Sequence, residues 1–133
     1  MSRSAFSAKV FAVYLFVLSP VLVVAPNLLL STFGIAPTND VWIRVVGVIA
    51  FNLGIYVWVA ARHDNRPFLE ASVYTRASVF VAFCVFAAMG FASPMIVLFG
   101  VIDLCGGLWT WFALKADERS VAPALASPLR PMQ

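Results

Sequence analysis

The chain has 133 residues, 62% of them apolar and only 11% charged, with a formal net charge of +3. Soluble domains are about 25% charged, and a chain this short folding in water buries only about two-thirds of its surface, so most of these apolar side chains would face solvent. A soluble globular domain is excluded, disorder is excluded by the same numbers, and a membrane is the remaining environment.

Residues 10–39 carry no charge, residues 45–61 carry none, and between 77 and 114 the single charge is Asp103. A membrane helix needs about 20 apolar residues. The last stretch would be roughly 57 Å long as one helix, nearly twice a hydrocarbon core of about 30 Å. It must fold back, and Gly90, Ser93 and Pro94 supply the turn. The spacing predicts four helices, over 9–31, 41–61, 70–92 and 95–114. Runs such as Val21-Leu22-Val23-Val24 lack the alternation of barrel strands.

The first span holds Pro20 and Pro26. Each removes an amide donor, so the span is kinked, or Pro26 ends it and 28–33 lies along the outer interface. Arg3 and Lys9 ahead of an apolar run look like the start of a signal peptide. The run is long, however, and its one small-residue cleavage candidate, Ala25, is followed by Pro26. We read a retained helix. The third helix is expected to start before the bilayer: Asp64 or Asn65 caps it, Pro67 suits its first turn, and Glu70 complements its dipole. Residues 66–76 then form a charged extension below the membrane.

Four spans place both ends and the 62–76 loop on one side. That side carries Arg3, Lys9, Arg62, Arg66, Arg76, Lys115, Arg119 and Arg130; the other has Arg44. This is a positive-inside pattern. The expected fold is all-α, a four-helix transmembrane bundle over 1–115, up-down-up-down, with cytoplasmic termini. The Ala-, Pro- and Ser-rich tail 116–133 is expected to be disordered. The basic surplus reads as topology and contact with the lipid bilayer, not as a nucleic-acid footprint.

Asp103 is the costly residue. It falls near the bilayer midplane, where a charged Asp costs about 2.5–3.5 kcal/mol on insertion scales. Gly100, Gly106, Gly107 and Thr110 share its helix face, a lane where a neighbouring backbone can approach. Two partners are expected on the second helix. Asn52 is level with Asp103, and Arg44 lies roughly 9 Å away along the axis by rise arithmetic. Ala50 and Gly54 would let that helix pack closely. Tyr14, Tyr56, Trp58 and Tyr74 either line a cavity or anchor at the interface. The candidate binding set is Asp103, Asn52, Arg44, Thr110 and Tyr56; Asp103 is also the one candidate catalytic residue. The same residues also fit a purely structural clasp.

Cys84 and Cys105 fall at similar depth without a C-x-x-C pattern, and read as small buried side chains. His63 is interfacial. No cluster has metal-ligand spacing, and no phosphate loop or Ser–His pairing occurs.

The residues Phe33-Gly34-Ile35, Trp42-Ile43-Arg44-Val45-Val46-Gly47, Tyr74-Thr75-Arg76, Phe99-Gly100-Val101-Ile102-Asp103 and Trp109-Thr110 carry a resemblance over about 5–115. The chain resembles small bacterial four-helix membrane proteins of the DoxX-like type, including the BphX-like group. The resemblance implies a bacterial inner-membrane accessory protein and assigns no catalytic residue. The expected function is an accessory subunit or binding module for a small apolar molecule, such as a quinone, lipid or aromatic compound, or for a partner helix. No cofactor is predicted beyond such a quinone or lipid, and the partner is a second copy or a membrane complex. The alternatives are a membrane-embedded isomerase or oxidoreductase with Asp103 as acid–base, and a proton-coupled transporter working as a dimer.

Overall fold

A computed structural model describes residues 1–126. They form five helices and no strand: α1 Arg3–Val24, α2 Pro26–Thr32, α3 Trp42–Arg62, α4 Arg66–Ala88 and α5 Ile96–Ala126. Helices α1, α3, α4 and α5 are each long and apolar enough to cross a membrane.

Local chemistry sets the boundaries. Ser2 caps α1 by accepting from the Ala5 amide at 3.0 Å. The helix runs through Pro20 and stops before Pro26. A residue preceding proline is pushed out of the helical region, and Ala25 adopts φ −138°, ψ 60°. The short α2 then starts with Pro26 at its first position. Of the two expected outcomes for the proline pair, the chain takes the break at Pro26. Asn65 caps α4 by accepting from the Phe68 amide at 3.2 Å, with Pro67 in the first turn. Gly90, at φ +75°, makes the turn after α4, a left-handed conformation that costs glycine little.

Three further boundaries differ from expectation. Helix α1 starts at Arg3, six residues before 9, where Ser2 caps it. Helix α4 ends at Ala88, one turn before 92. Helix α5 continues to Ala126, so 116–126 is helical where composition predicts a disordered tail. Asp117 and Glu118 in that extension bond to Ser4 and Arg66, contacts that composition does not reveal. The remainder of that tail, 127–133, lies outside the described residues, and so does Arg130.

Helix α1 packs on both α3 and α5, and α4 packs on α5, while α3 and α4 touch only sparsely. Two glycines of α3 permit its close seam with α1. A Cβ on Gly47 would crowd Val23, Leu22 and the Ser19 carbonyl, and one on Gly54 would crowd Phe16 and Leu15. The close approach expected of Gly54 therefore occurs, against α1. Small residues also let α1 sit between its neighbours: Ala5, Ala8 and Ala12 are buried with Val57, Ala61, Leu69 and Leu114 in one core cluster. That cluster lies at the end where α3 turns into α4. Beyond it, α3 and α4 separate.

Candidate functional site

The space between α3 and α4 is a cavity of about 730 Å³. One stripe of α3, Ile43, Val46, Ala50, Leu53 and Val57, forms a wall; its three- and four-residue spacing is one helix face. Tyr14 and Leu18 of α1 and Phe99 of α5 form the back, Val79 and Phe83 of α4 the opposite wall, and Leu29 and Leu30 of α2 reach the far end. From Ile43 to Val57 the wall is about 21 Å tall at about 1.5 Å per residue. The lining is almost wholly apolar, with two charged side chains on it, Arg76 and Asp103.

These two face each other, Arg76 Nε lying 3.8 Å from Asp103 Oδ1. The distance suits an ion pair and is too long for a hydrogen bond. Arg76 is 7% exposed. Its guanidinium carbon stands 3.6 Å from the centroid of the Phe11 ring, a cation–π contact. On the α5 side the guanidinium occupies the space that Gly106 leaves, where a Cβ would overlap Nη2. Gly100 lets the Phe80 backbone approach, and Gly107 meets Arg76 Cβ and the Val73 carbonyl at ordinary contact distance. The glycine lane beside Asp103 therefore receives a neighbouring backbone, that of α4.

Arg76 lies eight residues from Phe68 and seven from Phe83, so the charged pair sits halfway up the cavity. Its Nε is the one buried side-chain nitrogen or oxygen without a hydrogen-bond partner among the described residues. A guanidinium carries five N–H donors. Leaving them unmet in hydrocarbon is costly, and Phe11 and Asp103 balance the charge without accepting a hydrogen bond.

The expected site set divides. Asp103 lines the cavity. Arg44 is not its counter-charge; Arg76 is. Arg44 is exposed, and its Nη1 donates to the Val23 carbonyl, with the Val24 carbonyl at 3.5 Å. Those carbonyls lie at the C-terminal end of α1, where a cation complements the dipole. Asn52 and Tyr56 are exposed on the side of α3 away from the cavity. Asn52 does not meet Asp103, because α1 lies between α3 and α5. Thr110 is fully buried below the cavity, accepting from Ser7 Oγ at 3.0 Å and donating to the Gly106 carbonyl at 3.1 Å. Tyr14 is the tyrosine that lines the cavity; Tyr74 is 73% exposed.

Arg76 was expected in a charged extension below the membrane, and instead stands ten residues inside α4. Rise counting contains the signal. Arg76 is eleven residues beyond the Asn65 cap, and Asp103 is twelve residues before Lys115. At about 1.5 Å per residue both lie roughly 17 Å from the same end.

Cys84 and Cys105 are both free thiols, and no group of three or more metal-ligating side chains forms among the described residues. No family model, curated protein or solved structure matches the chain.

Proposed function

We propose that the chain is a multi-pass protein of a bacterial inner membrane that binds a small apolar molecule beside Arg76 and Asp103. Its helices run up-down-up-down with both ends cytoplasmic, a reading supported by the basic residues gathered at one end. The observation that carries the reading is the cavity: it has the volume of a small-molecule site, about 300–1,000 Å³, an apolar lining, and one charged pair at mid-height. The sparse contact between α3 and α4 favours access from the lipid, where an apolar ligand is concentrated.

A clasp that only fixed helix register would close the space around the pair, and the cavity argues against that. An acid–base enzyme needs a carboxyl free to exchange its proton with a substrate, whereas Asp103 faces Arg76.

Native mass spectrometry of protein extracted from its own membrane tests the proposal. We expect a bound apolar molecule, lost when Ala50→Trp fills the cavity wall. Protein that carries no adduct, or an adduct indifferent to that substitution, contradicts it.

A further inference from the structure

We infer that the cavity selects a neutral molecule carrying a carbonyl oxygen, which accepts a hydrogen bond from the Arg76 guanidinium. The inference rests on the binding role proposed above and names the chemistry of its ligand.

Two observations carry it. The first is the cavity itself, apolar along about 21 Å of helix and polar at one level. The second is Arg76, more than nine-tenths buried and lining that cavity: its Nε is sealed among protein atoms without an acceptor, and neither Nη donates to a protein acceptor among the described residues, so the Nη groups are the donors a bound molecule reaches. Buried donors are normally satisfied, so the acceptor must come from outside the chain. Water at that level has Tyr14, Thr75 and Asp103 to bond as well; a carbonyl oxygen that takes its place keeps the bond to the guanidinium while the rest of the molecule covers the apolar walls.

Charge decides what kind of acceptor fits. Arg76 is already balanced by Asp103 at 3.8 Å. A carboxylate or phosphate would bring a second negative charge against Asp103 in a low-dielectric setting, where like charges repel strongly. A ketone, ester or quinone oxygen satisfies the donors without adding charge. A hydrocarbon fills the walls and leaves the donors as they are. The ring or chain of such a molecule would lie against Phe11, Tyr14 and Phe99, with the oxygen directed at mid-height.

The test compares three diphenyl probes in lipid nanodiscs holding the full chain: benzophenone, diphenylmethane and diphenylacetate. They present a neutral carbonyl, a methylene and a carboxylate. We expect benzophenone to bind at least about tenfold more tightly than diphenylmethane, equivalent to about 1.4 kcal/mol, with diphenylacetate weaker than benzophenone. The double variant Arg76→Met/Asp103→Leu replaces the pair by apolar groups of similar size, an exchange that buried pairs often tolerate. It should abolish the difference between benzophenone and diphenylmethane while both still bind. Should the variant fail to fold, the three probes on the unaltered chain still decide. Equal binding of benzophenone and diphenylmethane would overturn the carbonyl preference and leave the binding role standing. Tightest binding of diphenylacetate would overturn it in favour of an anion site. Binding of none of the three removes both the inference and the role on which it rests.

Discussion

Gly106 and Gly107 are neighbours in sequence with different burdens. A Cβ on Gly106 would overlap the Arg76 guanidinium, whereas one on Gly107 would make ordinary contacts at 3.5 Å with Arg76 Cβ and 3.6 Å with the Val73 carbonyl. Gly106→Ala must therefore move a buried cation off the face of Phe11, and overpacking of this kind costs about 1–3 kcal/mol. Gly107→Ala has room, and alanine favours helix by up to about 1 kcal/mol over glycine. Thermal unfolding in detergent should show Gly106→Ala clearly destabilised and Gly107→Ala unchanged or slightly stabilised. The glycine lane beside Asp103 was legible in the sequence because helical spacing alone places 100, 106, 107 and 110 on one face. The partner was not. Asn52 and Arg44 were plausible only if α3 lay beside α5, and the pattern of apolar residues in a helix does not say which helix stands next to it. Arg76 borders an uncharged run in sequence, so it looks like an interfacial anchor until the rise from Asn65 is counted.

The elements are held at one end by carboxylates that serve other helices. Asp117 of α5 accepts from the Arg3 amide at 3.1 Å, the Ser4 amide at 3.0 Å and the Ser4 hydroxyl at 2.7 Å. First-turn amides have no partner within their own helix, and a negative charge there complements the dipole. Asp117→Asn keeps the shape but removes the charge and one of the two accepting oxygens, at an expected cost of about 1–2 kcal/mol. The change should be read as faster amide hydrogen exchange over residues 3–6, with α3 unaffected. Asp64, in the turn between α3 and α4, accepts from the Ser2 hydroxyl and from the Ser2 amide, and these bonds hold its carboxyl below the usual 3.8. A carboxyl whose folded value is lowered contributes fully above its unfolded value and loses that contribution as the pH falls through the lower folded one. Exchange at the start of α1 should thus accelerate as the pH drops below 3.8, beyond the intrinsic pH dependence of exchange, and Asp64→Asn should remove that added step. The helices themselves were legible from uncharged runs, caps and prolines. The long extension of α5 was not, because its stabilising partners lie far earlier in the chain, Arg3 and Ser4 for Asp117 and Arg66 for Glu118.

At the scale of the whole molecule, the contacts of Ser2 with Asp64, Ser4 with Asp117 and Arg66 with Glu118 gather Arg3, Arg62, Arg66, Lys115 and Arg119 toward one end. Arg44 caps the break between α1 and α2 at the other. Moving Arg76 from that basic end into the cavity leaves the asymmetry intact, so the positive-inside expectation does not depend on it. The proposed topology then makes a directional prediction. With Cys84→Ala and Cys105→Ala as background, His63→Cys sits in the turn between α3 and α4, and Asp40→Cys in the segment leading into α3. In sealed inside-out membrane vesicles, a membrane-impermeant maleimide should label His63→Cys and spare Asp40→Cys until detergent is added. Right-side-out cells should give the reverse. Labelling of both from one side would mean that α3 does not cross the bilayer. The cavity wall it forms would then open to water instead of lipid, and an apolar ligand would have no membrane route between α3 and α4.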